Sequence, residues 1–148
     1  MVQSSPYLRS LMTAAETAKV LGVKTIDVNY MLAEWMKGKF FESNPIDTLL
    51  IRNRDPKVIS EKYLGGIQIL DKAQKYDPEN KPRNRDEKAF AYVRNSYPEA
   101  WPKSYARAQE VQRQLYWAVR NFKGSSKFEG DHNQQKIAIL SFSHGALV

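Results

Sequence analysis

The chain has 148 residues, 23 of them Lys or Arg and 16 Asp or Glu, giving a formal net charge of +7. Hydrophobic residues at 42% and charged residues at 26% describe a folded domain rather than a disordered chain, and no apolar run approaches the ~20 residues needed to cross a bilayer. The lack of cysteine excludes a disulfide framework, a thiol nucleophile and a thiolate metal site, and two histidines leave little room for a histidine-built metal centre.

In chain order, Val2-Gln3-Ser4 precedes a strong helix start, with Ser5 as N-cap and Pro6 at the first helical position. Leu8, Leu11, Met12, Ala15 and Ala18 form one apolar stripe, and Gly22 is a natural stop. Thr25-Ile26-Asp27-Val28 alternates β-branched residues and reads as a short strand. Residues 29–54 are irregular. Asp55-Pro56 opens a second helix, with Ile59, Tyr63, Ile67 and Leu70 on one face and Gly65-Gly66 inside it.

Asp77 to Arg85 reads as a polar loop, and Asp86 caps a helix running to about Ser96. Ser104 opens the longest periodic stretch, through Ala108, Val111, Leu115, Ala118, Val119 and Phe122, closed by Gly124. A polar loop with His132 follows. Ile137-Ala138-Ile139-Leu140 is a continuous apolar run, the pattern of a strand buried on both faces of a parallel sheet. It ends in Ser143-His144-Gly145. The expected fold is therefore α/β and three-layered, with strands near 2–4, 25–28 and 137–142 in a mostly parallel sheet and helical insertions between.

Open α/β sheets bind ligands beyond the carboxyl ends of their strands, and three features fall there. Arg9, in the first helical turn, offers a guanidinium fork beside free N–H groups at a helix start, which together suit an anion. Its plain alternative is a solvated arginine on a capped helix. Glu34, in Leu32-Ala33-Glu34-Trp35, is a carboxyl beside an indole, and partial desolvation would suit it to general acid work. Its plain alternative is a surface glutamate beside a packed tryptophan. His144, followed by Gly145, points into the ligand crevice or else lies near a frayed terminus. His132 reads as an ordinary surface residue.

These residues carry a resemblance. Ser4-Ser5-Pro6-Tyr7-Leu8-Arg9-Ser10-Leu11-Met12-Thr13-Ala14 resembles the S-S-P-x-x-R-x-x-x-T-A segment of the histidine phosphatase superfamily, the phosphoglycerate mutase-like proteins. Leu32 to Trp35 is similar to its L-x-E segment, in the branch that reads E-W. Tyr97-Pro98-Glu99-Ala100-Trp101 resembles its Y-P-E-x-W, and Ile137 to Ala146 its strand ending in S-H-G. Order and spacing agree over nearly the whole chain.

The resemblance implies that Arg9 grips a transferring phosphoryl group, that Glu34 is the general acid or base, and that His144 donates to the phosphoryl oxygens. It also implies that residues 2–4 form the central strand of the sheet. The chain departs from the pattern in lacking the arginine-histidine-glycine motif whose histidine is the nucleophile, and Met12 stands where glutamine is frequent. As written, it resembles a single domain, residues 1–148, cut at both ends, with a helical insertion at about 37–103.

The resulting expectation is a phosphatase acting on a phosphorylated metabolite or phosphoprotein, inactive as this stretch of sequence. The alternative is a non-catalytic binding or structural subunit descended from such an enzyme. No cofactor and no metal is required. The basic balance favours anionic partners, while its dispersal argues against nucleic acid, and no membrane partner is expected. The lack of cysteine and of a secretory pattern at Met1 to Pro6 suits a reducing cytoplasm. An exposed strand edge would invite oligomers or a larger assembly.

Overall fold

A computed structural model describes residues 1–120 and 138–144. Four strands form one all-parallel sheet: β1 (Val2–Ser4), β2 (Thr25–Val28), β3 (Gln68–Leu70) and β4 (Leu140–Phe142), in the order β3-β2-β1-β4. β1 is central, with Gln3 opposite Asp27 on one side and Ser141 on the other. The chain is thus α/β around a small parallel sheet, and the three strands read from sequence lie side by side. β4 begins at Leu140; Ile137, with His132, Gly124, Phe122 and Gly145, lies outside the described residues.

The fourth strand corrects the reading of residues 55–70. Asp55 caps α3 (Pro56–Tyr63) by accepting from the Lys57 amide at 2.8 Å. The helix then ends, because Gly65 and Gly66 take φ of 59° and 87°, a left-handed region that glycine enters at little cost. Ile67 and Leu70 are not on the helix: residues 68–70 pair with β2 instead. The stretch 37–103 therefore contributes a strand to the sheet as well as helices.

α1 spans Leu8–Val20, and Tyr7 rather than Ser5 is its N-cap. The helix starts late because Ser5 still belongs to the sheet: its amide donates to the Phe142 carbonyl at 2.8 Å. Ser10, Leu11, Ala14, Ala15 and Ala18 form the buried face, and the alanines let the helix lie close on β1, β2 and β4. Gly22, at φ 66°, closes it: the Val23 amide donates to Ala18 and the Gly22 amide to Lys19, the paired bonds of a left-handed helix stop.

α4 (Arg85–Asn95) is capped by Asn84, two residues earlier than Asp86, with its side chain accepting from the Glu87 amide at 2.9 Å. α5 (Trp101–Arg120) starts before Ser104, which is buried in its first turn. Its buried residues are Ser104, Arg107 and Val111; Ala118 and Val119, expected inward, are exposed. The short α2 (Leu50–Asn53) and a 3-10 turn at Tyr30–Leu32 complete the described elements. Side chains of Gln3, Asp27 and Leu70 border a cavity of about 360 Å³ reaching α4 and α5, so these helices stand across from the sheet face that presents Gln3. The remaining core gathers around the 29–36 segment, where Tyr30, Leu32, Ala33 and Met36 are buried and the Tyr30 ring meets Phe90 of α4 edge-on at 5.0 Å.

Candidate functional site

Three strand ends deliver the candidate side chains. β1 leads through Ser5 into α1 and Arg9, β2 leads through the 3-10 turn into Glu34, and β4 leads into Ser143 and His144. Because β1 lies between β2 and β4, these exits are neighbours. Ser143 ties two of them together, its hydroxyl donating to the Leu32 carbonyl at 2.9 Å. Arg9, Glu34 and His144 share one cavity of about 410 Å³, also lined by Ser10, Thr13, Phe142 and Ser143.

Arg9 is the bridge. One of its terminal nitrogens donates to the Glu34 carboxylate and also lies 3.0 Å from His144 Nδ1. A guanidinium has no acceptor to offer, so Nδ1 must be the accepting nitrogen and the neutral imidazole carries its proton on Nε2. Nε2–H then donates to the Ser5 hydroxyl at 2.9 Å, with the Ser10 hydroxyl also in reach at 3.3 Å. The environment favours that neutral form. Burial lowers the pKa of His144 below the ordinary imidazole value, the Arg9 charge lowers it further, and Glu34 opposes both. Tyr7 meets the ring edge-on at a centroid distance of 5.1 Å, and the Arg9 guanidinium lies 5.1 Å from the Tyr7 ring centre.

No side chain caps the N-terminus of α1, whose first turn gives Arg9 and Ser10 to the cavity wall. Arg9 keeps 60% of its side chain exposed and Glu34 27%. Glu34 is thus a carboxylate paired with a cation at an open mouth. Trp35, expected to desolvate it, is engaged elsewhere: its indole N–H donates to the Glu99 carbonyl at 2.9 Å, and its ring packs on Trp101 and Phe40.

Sequence reasoning missed the residue that holds Glu34 in place. Arg107 has no exposed side-chain surface, nor has its partner Glu99. Arg107 Nε and one terminal nitrogen grip the two Glu99 carboxylate oxygens at 2.9 and 2.7 Å. The other terminal nitrogen donates to the carbonyls of Met31 and Ala33 at 2.8 and 2.6 Å, and a fifth bond reaches the Glu34 carbonyl at 3.1 Å. All five N–H donors of the guanidinium are used. The available signal was its place in α5, three residues after Ser104 and four before Val111: a charge on an otherwise inward stripe needs a buried partner.

Among the described residues, no three His, Asp or Glu side chains are grouped to hold a metal ion, and no helix is long and apolar enough to cross a membrane. No family model, curated protein or solved structure matches the chain.

Proposed function

We propose that the chain is a histidine phosphatase-like protein whose cavity beyond β1, β2 and β4 takes the phosphoryl group of a phosphorylated metabolite or phosphoprotein. The observation that carries this reading is the Arg9 fork within 3.0 Å of His144 in a cavity open to solvent. A dianionic phosphoryl group entering there would displace Glu34 from the fork and gain a charge-assisted, bidentate contact. The Ser10 hydroxyl in the cavity wall supplies a further donor. Glu34, released at the mouth, would then serve proton transfer to or from a leaving group.

The 148 residues contain no arginine-histidine-glycine, the motif that supplies the nucleophile in the family the chain resembles. The chain's two histidines, His132 and His144, both lie outside such a motif. A second reading is a non-catalytic phosphate-binding subunit, and turnover of an aryl phosphate by the purified chain separates the two.

Both readings rest on the same pocket, tested by titrating the chain with vanadate or phosphate by calorimetry at fixed salt. Arg9→Ala removes the bidentate contact and is expected to cost about 1.5–3 kcal/mol, roughly tenfold to a hundredfold in affinity. Arg9→Lys should restore only part of it, because an ammonium lacks the planar fork. Equal affinity of wild type and Arg9→Ala would mean that the anion binds through dispersed surface charge.

A further inference from the structure

Two segments far apart in the chain, 35–42 and 97–105, bring aromatic rings together at the surface. Trp35 sits between Phe40, with ring centres 6.2 Å apart, and Trp101, at 5.0 Å. Tyr105 follows Trp101 by one turn of α5, on the same side of the helix. Phe40, Trp101 and Tyr105 present 62%, 54% and 56% of themselves to water. A single exposed aromatic is ordinary, but a contiguous group of them marks an interaction surface.

The fold holds this group in shape. The Glu99 amide donates to the Met36 carbonyl at 2.8 Å, the Trp35 indole to the Glu99 carbonyl at 2.9 Å, and the Tyr97 hydroxyl to the Phe41 carbonyl at 2.6 Å. A Cβ on Gly38 would lie 3.3 Å from Pro98, so the loop rests directly on the second segment. Phe40 is therefore kept outside by its backbone rather than folded inward.

The charges around the rings decide what covers them. The two segments carry Lys37, Lys39 and Lys103, no arginine, and the carboxylates Glu42 and Glu99, of which Glu99 is buried against Arg107. The Lys37 ammonium lies 4.9 Å from the Trp35 ring and 5.7 Å from that of Phe40. Protein interfaces favour arginine and are depleted in lysine. Tryptophan and phenylalanine interleaved with lysine instead match the boundary between lipid headgroups and acyl chains. We propose that this patch docks the chain on an anionic lipid surface, with Phe40 and Trp101 entering the headgroup boundary and the three lysines meeting the lipid anions. A membrane partner is not expected from the sequence, because these rings meet only in the fold. The proposal is independent of the Arg9 cavity.

The test is sedimentation of the full chain with vesicles of phosphatidylcholine alone and of phosphatidylcholine mixed with phosphatidylserine, at one salt concentration. Wild type should bind the mixed vesicles and leave the neutral ones. Phe40→Ser, at an exposed side chain, should weaken that binding about tenfold. Lys39→Gln with Lys103→Gln should weaken it roughly tenfold to thirtyfold. Arg9→Ala should bind as wild type does. Equal binding to both vesicle types, or to neither, would overturn the proposal. Binding that Phe40→Ser leaves unchanged would assign it to the chain's dispersed charge, and binding lost in Arg9→Ala would assign it to the anion cavity; either overturns the patch. Wild type that ignores vesicles but self-associates through Phe40 would make the patch a protein interface instead.

Discussion

Two arginine–glutamate pairs flank the 31–34 segment, and their surroundings make them opposites. Arg107 and Glu99 have no exposed side-chain surface, and every donor of the guanidinium is committed. Arg9 and Glu34 meet at an open mouth, with more than half of the arginine side chain in water. The same pair of chemical groups thus does two jobs. A saturated, buried fork can only hold, and it holds the backbone carbonyls that set where Glu34 begins. A half-committed, solvated fork can let go of its carboxylate and take another anion at little cost.

The largest effect that sharpens this contrast is on stability. Arg107→Met leaves the Glu99 charge buried without its partner and should cost on the order of 3–5 kcal/mol, read from urea unfolding. The matching Arg9→Met should cost under about 1 kcal/mol, the scale of an exposed pair. Equal losses would break the distinction between the buried clamp and the solvated pair.

Next in size, Glu34→Gln removes the anion that occupies the Arg9 fork, so phosphate affinity should rise by roughly two- to fivefold, the worth of a partly exposed pair. Weaker binding in that variant would mean that Glu34 orients Arg9 rather than competing for it. Tyr7→Phe deletes a buried hydroxyl with no partner among the described residues, so thermal unfolding should show stability unchanged or raised by about 1 kcal/mol. A clear loss would reveal a partner for that hydroxyl.

The smallest effect is the pH dependence of His144. Its pKa in the folded chain lies below that of the unfolded chain, so the unfolded state takes up the proton first as pH falls. The stability contributed by the neutral ring is complete above about pH 6.5 and is lost progressively as pH drops through the lower, folded value. His144→Gln should flatten that part of the stability curve. A slope that persists in the variant would place the titrating group elsewhere.

What was legible in the sequence and what was not follows from the same physics. Arg9, Glu34 and His144 each come just after a strand whose apolar or β-branched pattern is local, and parallel strands put such exits on one edge. β3 was hidden because Ile59, Tyr63, Ile67 and Leu70 keep helical spacing straight through the break, while a three-residue strand is too short for alternation to show. The positive φ of Gly65 and Gly66 is what separates the two, and a pair of glycines inside a periodic run is a stronger stop than their neighbours suggest. Ser5 failed as a cap because tertiary pairing with Phe142 claimed its backbone before the helix could. Arg107 was invisible for another reason. Charged residues on a helix are ordinarily solvated, and its partner Glu99 lies outside the helix, so no i,i+4 pairing advertised the bond.

The central place of β1 has a consequence in time rather than in space. Val2 pairs with Leu140 and Ser4 with Phe142, so the sheet is closed by contacts between residues almost the whole chain apart. Contacts of that separation carry a large loop-closure entropy and are formed late relative to helices and local turns. His144 arrives with the last of them. During synthesis on the ribosome, Arg9 and Glu34 exist long before the ring that completes their cavity, and one side of β1 waits unpaired. The cavity shared by Arg9, Glu34 and His144 is thus completed only once β1 and β4 have paired.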